Sequence, residues 1–119
     1  MPSLIILHTN DIHGRIAGLA RIATLVEQAR AAQPATPVLY ADAGDSEETA
    51  VRLSNLTKGV AMHRLLSAAG CDVAAVGNAA PVRYGSEVLA EQAAAASYPL
   101  LLANMRQPDG APVPGVQLS

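Results

Sequence analysis

Residues 4–14 of the chain read LIILHTNDIHG, an apolar run that stops abruptly at a polar turn. Four consecutive apolar residues are typical of a strand that is buried on both faces in a parallel sheet covered by helices. The turn that follows carries a carboxylate at Asp11 and an imidazole at His13. Because open α/β sheets build their sites at the carboxyl ends of their strands, and because this spacing lets both groups reach one ion, the turn predicts metal ligands.

Composition limits the kinds of protein this chain can be. At 119 residues it forms one domain at most, and its core must use Ala, Val, Leu and Ile because Phe and Trp are absent and Tyr occurs three times. The net charge is −2 and no cluster of Lys or Arg occurs. We therefore expect neither a polynucleotide partner nor binding to an anionic membrane surface.

Few features of the sequence indicate the cellular compartment of the protein. No run approaches the about 18 apolar residues that span a bilayer, and the start Met1-Pro2-Ser3 lacks the features of a signal peptide. The chain as given predicts a cytoplasmic protein, although removal of a signal peptide would leave a periplasmic or extracellular protein with the same sequence. The single Cys71 excludes an internal disulfide and is expected to be a small buried hydrophobe.

Strand and helix patterns alternate along the chain, which predicts an α/β fold with a parallel βαβ sheet flanked by helices. Apolar spacing and Pro or Gly breaks predict strands at 4–7, 38–41, 73–76 and 100–103, and helices at 18–32, about 62–69 and 86–96. Asn55 to Lys58 are candidates to cap the second helix, Ser86 is the candidate cap of the third, and a long loop is expected over 77–85.

Metal-capable side chains follow three of these strands. They are Asp11 with His13, then Asp45, then Asn78. Right-handed βαβ connections place such strand ends side by side on one edge of the sheet, so we expect these side chains to converge. Mixed oxygen and nitrogen ligands suit Mn, Zn, Fe or Mg, and a carboxylate such as Asp45 can bridge two ions about 3.5–4 Å apart.

Structural roles are alternatives for each of these residues. Asp11 or Asp45 could cap the helix that follows it, and Asn78 could be a turn residue. His63 lies on the flank of an amphipathic helix, where a surface or packing role is the simpler interpretation. His8 at the strand end is better explained by a structural hydrogen bond than by ligation.

Several short motifs together resemble a known family. The pieces are HTNDIHG (8–14), GDS (44–46), SNLTKG (54–59), GN (77–78), YG (84–85) and AN (103–104). In order and spacing they are similar to the amino-terminal half of the calcineurin-like metallophosphoesterase domain, in its 5′-nucleotidase branch, over nearly the whole chain. The resemblance implies an αββα sandwich of two sheets, of which residues 1–119 would form the amino-terminal part. It also implies hydrolysis of nucleotide phosphoesters, of the 5′-nucleotidase or cyclic phosphodiesterase type.

Roles for individual residues follow from the resemblance. Asp11 and His13 would ligate a first divalent metal, Asp45 would bridge both metals, and Asn78 would ligate the second through its side-chain oxygen. The two ions would be Mn, Zn, Fe or Mg, and the hydroxide they share would attack the phosphorus.

Two departures from the family pattern bear on activity. Ala79 stands where the family has a His that assists the leaving group, and loss of a positioned general acid typically lowers a rate by about 10²–10⁴. Arg83 in the same loop is a candidate to bind substrate phosphate but does not readily donate a proton. The family's later ligands and second sheet are also absent, so we expect an incomplete metal site and a domain truncated after Ser119. A missing carboxyl-terminal half, a partner chain or a homo-oligomer would complete it.

Three hypotheses remain open at this level. The chain is part of a metal-dependent phosphoester hydrolase, or it is a catalytically silent relative that binds a phosphate ligand or a partner, as Ala79 favours. The third hypothesis is an unrelated small doubly wound domain.

Overall fold

The computed structural model describes residues 1–117 and has alternating strands and helices, as the periodicity predicts. Ser119, where the predicted truncation falls, lies outside the described residues. The elements in chain order are β1 (Ile5–Thr9), α1 (Ile16–Ala32), β2 (Val38–Asp42), α2 (Arg52–Leu56), α3 (Val60–Ala68), β3 (Val73–Ala75), α4 (Ala79–Tyr84), α5 (Val88–Ala95) and β4 (Leu100–Leu101).

The four strands form one sheet in the order β1-β2-β3-β4, with every neighbouring pair parallel. The register aligns Thr9 with Asp42, Asp42 with Ala74, and Ala74 with Leu100. The predicted fold class, α/β with a parallel sheet flanked by helices, is confirmed. Because the strands are parallel, their carboxyl ends share one edge of the sheet, and this edge is where the polar turns lie.

The hydrophobic core lies between the sheet and the helices on one of its faces. Tyr40 from β2 and Leu100 from β4 pack with Met62 and Leu66 from α3, and all four side chains are buried. Cys71 is also buried in this cluster, as predicted.

The other face of the sheet has no helical cover within residues 1–117. In β1 the side chains alternate, and Ile6 is 58% exposed while its neighbours Ile5 and Leu7 are partly buried. The expectation that β1 is buried on both faces is therefore wrong for this chain. Successive right-handed crossovers that all run in the same direction place every connecting helix on the same side of a sheet.

Several local predictions also require correction. α1 begins at Ile16, two residues earlier than the apolar spacing predicted, and α2 was not predicted. α4 occupies most of the predicted loop over 77–85. Pro81 is compatible with this helix because it lies in the first turn, where a backbone N–H has no partner inside the helix.

The helix caps differ from the predicted ones. The N-cap of α3 is Gly59, with a φ of 82°, and Asn55 lies inside α2. Thr57 contributes to α3 because its hydroxyl accepts a hydrogen bond from the N–H of Ala61 at 3.2 Å. The N-cap of α5 is Glu87 and not Ser86. None of the helices in the described part of the chain is long and apolar enough to cross a membrane.

Candidate metal centre

The turns after β1 and β2 are joined by a ladder of backbone hydrogen bonds. The amides of Asp11, His13 and Gly14 donate to the carbonyls of residues 44–46, over distances of 3.0, 3.1 and 2.8 Å respectively. Backbone atoms, and not only side-chain contacts, therefore fix the position of the first turn relative to the second.

Both turns use unusual backbone conformations at the residues predicted to be ligands. Asp11, His13 and Asp45 have φ values of 54°, 46° and 58°, and in residues 1–117 only Lys58 is a further non-glycine residue with positive φ. Such conformations cost on the order of 1–3 kcal/mol each and persist only where surrounding contacts enforce them. The hydrogen-bond ladder supplies those contacts, and the strain makes this edge a candidate functional site.

The three side chains meet in space. Asp11, His13 and Asp45 each offer one ligand atom, and these atoms lie within 4.8 Å of one another. Two donors on opposite sides of an ion with bonds of about 2.0–2.2 Å lie about 4–4.4 Å apart. The three donors therefore need only a small inward adjustment to close on a single divalent cation.

Hydrogen bonding around His13 also favours a cation. Its Nδ1 lies 3.2 Å from the carbonyl oxygen of Glu47, and its Nε2 lies 3.3 Å from Oδ1 of Asp11. Both partners are acceptors, whereas a neutral imidazole carries one N–H. A neutral His13 that donates from Nδ1 directs an Nε2 lone pair at a carboxylate, and a metal ion or a proton between the two would resolve that repulsion. The residues present fit a divalent metal.

Asp45 connects this pair to the turn after β3. Its Oδ1 accepts a hydrogen bond from the N–H of Ala79 at 2.7 Å. A Cβ placed on Gly77 would come within 2.1 Å of the same oxygen, so glycine is required for the close approach. Asp45 thus caps α4 across the sheet edge and not the helix that follows it in sequence. One carboxylate oxygen is used in this way, and the second is the atom available to a cation.

Asn78 lies on the third turn, directly after Gly77. It is the N-cap residue of α4, yet its side chain makes no capping hydrogen bond. Asp45 provides that bond instead, which leaves the Asn78 amide uncommitted to the helix. Its role as a metal ligand stays a prediction.

Arg83 lies near the site but is paired. Its Nη1 donates to Oε1 of Glu48 at 2.9 Å, and Oε2 of Glu48 lies 3.7 Å from Nδ1 of His13. A hydrogen bond from the N–H of Ala50, with the Arg83 guanidinium nearby, lowers the pKa of Glu48. Phosphate binding by Arg83 stays a prediction, and it would require competition with Glu48.

A buried polar group lies behind the candidate ligands and was missed by the sequence interpretation. His63 is buried, which agrees with the packing alternative and not with the surface one; its Nε2 lies 3.0 Å from Oε1 of Glu47 and its Nδ1 lies 2.9 Å from the hydroxyl of Tyr98. The acidic pair that directly follows the GDS motif was the available signal for Glu47. His8, by contrast, is exposed.

Asp42 forms a second buried polar contact, at the end of β2. It accepts hydrogen bonds from the Thr9 hydroxyl at 2.6 Å and from the N–H of Gly44 at 3.0 Å. Burial raises the pKa of Asp42 despite these donors. Burial also raises the pKa of the neighbouring Tyr40 to about 12.

The fold and the three converging donors define a candidate divalent-metal site at the carboxyl edge of a parallel α/β sheet. No family model matches the chain. It is 36% identical to the 5′-nucleotidase of Bos taurus and 33% identical to the 5′-nucleotidase of Mus musculus, each over a 92-residue alignment that covers 63% of this chain. The chain has a 5′-nucleotidase-like relationship to these proteins and spans 16% of the length of each.

Proposed function

We propose that this chain is the amino-terminal, metal-binding part of a metallophosphoesterase domain that hydrolyses nucleotide phosphoesters. The observation that carries the proposal is the convergence of Asp11, His13 and Asp45 at the carboxyl edge of the sheet. The similarity to two 5′-nucleotidases supports nucleotides as the substrate class.

Each residue in the proposal has a defined task. Asp11 and His13 would hold the first cation, Asp45 would be shared with a second, and the amide oxygen of Asn78 would help to hold the second. When bound, divalent cations would lower the pKa of a water molecule and offset negative charge on the phosphoryl group. The ladder between residues 11–14 and 44–46 keeps the ligand side chains in register, so little ordering is needed when an ion binds.

Ala79 limits the rate in this proposal. Its methyl group is buried, and its N–H is already committed to Asp45. A methyl group transfers no proton, so the leaving oxygen must take its proton from solvent or from another part of the full domain. We therefore propose slow hydrolysis compared with a site that has a positioned general acid.

The uncovered face of the sheet supports the domain assignment. Leu4 and Ile6 on this face are 56% and 58% exposed, and a large apolar surface on a sheet is normally covered by another layer. In the proposed αββα sandwich a second sheet packs here. That sheet would come from further residues of the same domain or from a partner chain.

A second candidate is a catalytically silent relative that binds a phosphate ligand at the same cations. The observation that favours it is again Ala79, together with the pairing of Arg83 to Glu48. Metal binding is common to both candidates, so hydrolysis separates them.

The test uses the full natural polypeptide that contains this sequence, with manganese and either a nucleoside monophosphate or an aryl phosphate as substrate. Asp45→Ala should reduce hydrolysis to background. Asp109→Ala is the matched control, because Asp109 also accepts a backbone N–H through Oδ1, at 2.9 Å, but lies in a distant exposed turn. It should leave the rate unchanged.

Two results would contradict one or both candidates. Background rates in wild type and Asp45→Ala alike, with manganese still bound, would favour the silent relative. If manganese changes neither the melting temperature nor the rate of the wild type, both candidates are wrong.

A further inference from the structure

Glu47 has contacts on two sides that join the candidate ligands to the core. Its backbone carbonyl lies 3.2 Å from Nδ1 of His13. Its carboxylate is buried and lies 3.0 Å from Nε2 of His63. The hydroxyl of Tyr98, also buried, lies 2.9 Å from the other nitrogen of His63.

The hydrogen bonds of this group can all be satisfied at once. The Glu47 carboxylate accepts from the Nε2–H of His63, and Nδ1 of His63 then accepts from the Tyr98 hydroxyl. Buried polar groups with complete partners are rigid, because any rearrangement would leave a donor or acceptor unpaired. The Glu47 side chain is therefore held in one position.

The backbone around Glu47 also helps to hold this residue in one position. Gly59, the N-cap of α3, lies so close that a Cβ there would come within 2.3 Å of Cγ of Glu47. The carbonyls immediately before Glu47, at residues 44–46, accept the amides of the first turn. The Glu47 carbonyl continues this ladder with a contact to a side chain, that of His13.

We propose that Glu47, His63 and Tyr98 form a buried positioning chain that sets the tautomer and orientation of His13. The Glu47 carbonyl keeps the proton on Nδ1 of His13 and leaves the Nε2 lone pair free for a cation beside Asp11. This inference rests on the proposed function, in which His13 is a metal ligand. Substitution of a residue that hydrogen-bonds to a metal ligand commonly lowers the metal affinity by about 10–100-fold.

The first measurement is the His13 tautomer in the metal-free chain, from long-range imidazole proton–nitrogen NMR spectra at alkaline pH, where free imidazole is neutral. Wild type should show the Nδ1–H tautomer. Glu47→Ala should give a mixture of tautomers, because the carbonyl is no longer anchored. Glu47→Gln should restore the wild-type spectrum, since its amide oxygen can accept from His63.

The second measurement is manganese affinity by calorimetry. Glu47→Ala should bind about 10–100-fold more weakly than wild type, and Glu47→Gln should bind nearly as well as wild type. Thr24→Ala is the matched control, because the Thr24 hydroxyl makes an exposed bond within α1, to the carbonyl of Ala20 at 3.3 Å. It should leave both tautomer and affinity unchanged.

The outcomes separate this inference from the proposed function. Absence of manganese binding in wild type overturns the proposed function. An unchanged His13 tautomer in a folded Glu47→Ala, or equal effects of Glu47→Ala and Thr24→Ala, overturns the positioning chain alone. If circular dichroism shows that Glu47→Ala does not fold, Tyr98→Phe decides the question: a shift of the tautomer in the same direction supports the chain, and no shift overturns it.

Discussion

Two imidazoles, His13 and His63, contact the same residue, Glu47, and differ in what surrounds them. His63 is 5% exposed in its side chain and lies between one donor and one acceptor. His13 is 32% exposed and faces acceptors on both sides. Because both ring nitrogens of the inner imidazole, His63, have hydrogen-bond partners, this side chain has a structural role. The outer imidazole, His13, faces an acceptor at each ring nitrogen and is a candidate metal ligand. The same residue type thus serves two purposes because its partners differ.

The largest expected effect is a loss of stability when each imidazole is removed in turn. His63→Ala leaves the buried Glu47 carboxylate without its hydrogen-bond donor, and an unpartnered buried polar group costs about 1–3 kcal/mol in the free energy of unfolding, more when the group is charged. His13→Ala removes a partly exposed side chain that faces two acceptors, so its cost should stay below about 1 kcal/mol. Urea denaturation of both variants provides the measurement. Equal losses would mean that the two imidazoles are not distinct in role.

A smaller effect concerns the close approach that places Asp45 beside His13. Gly77→Ala adds a Cβ that would lie 2.1 Å from Oδ1 and 2.3 Å from the backbone nitrogen of Asp45. Such overpacking typically costs about 1–3 kcal/mol, and it should weaken manganese binding because Asp45 must move. Calorimetric titration and thermal melting would measure the two effects.

Gly18→Ala is the control for this substitution. Gly18 lies within α1, and its added Cβ would meet only Arg15 at an ordinary 3.8 Å. Replacing a helical glycine stabilises by about 0.5–1 kcal/mol. A loss of stability in both variants would argue against a specific constraint at Gly77.

The smallest expected effect concerns the buried carboxylate of Asp42. Because burial raises its pKa in the folded state, Asp42 favours folding at acid pH, and this contribution is lost as the pH rises through the folded-state pKa. Asp42→Asn keeps an acceptor for the N–H of Gly44 and removes the charge. The stability of the variant relative to wild type should therefore increase from acid to neutral pH, by about the 1 kcal/mol scale of a single hydrogen bond.

Urea unfolding of wild type and Asp42→Asn across the acid range would measure this difference. A difference that is constant with pH would show that Asp42 does not titrate differently in the folded state. It would also mean that the buried Asp42, which is bonded to Thr9 and Gly44, does not differ in its titration from an ordinary carboxyl group.

The sequence predicted the elements whose signals are local. Apolar runs and the helical spacing after Gly14 depend on residues a few positions apart, so the strands, α1 and the parallel α/β class followed directly from them. The same reasoning placed Asp11, His13 and Asp45 on one edge, because parallel strands share their carboxyl ends.

Only the tertiary structure decided which groups are paired. The bond between Glu47 and His63 joins residues 16 positions apart, and the bond between His63 and Tyr98 joins residues 35 apart. The cap that Asp45 provides for α4 spans 34 positions. No periodic pattern encodes such contacts, because they arise where separate elements pack. The sequence therefore determined which side chains reach the edge of the sheet, and packing decided which of them are held in buried hydrogen bonds and which are left as candidate metal ligands.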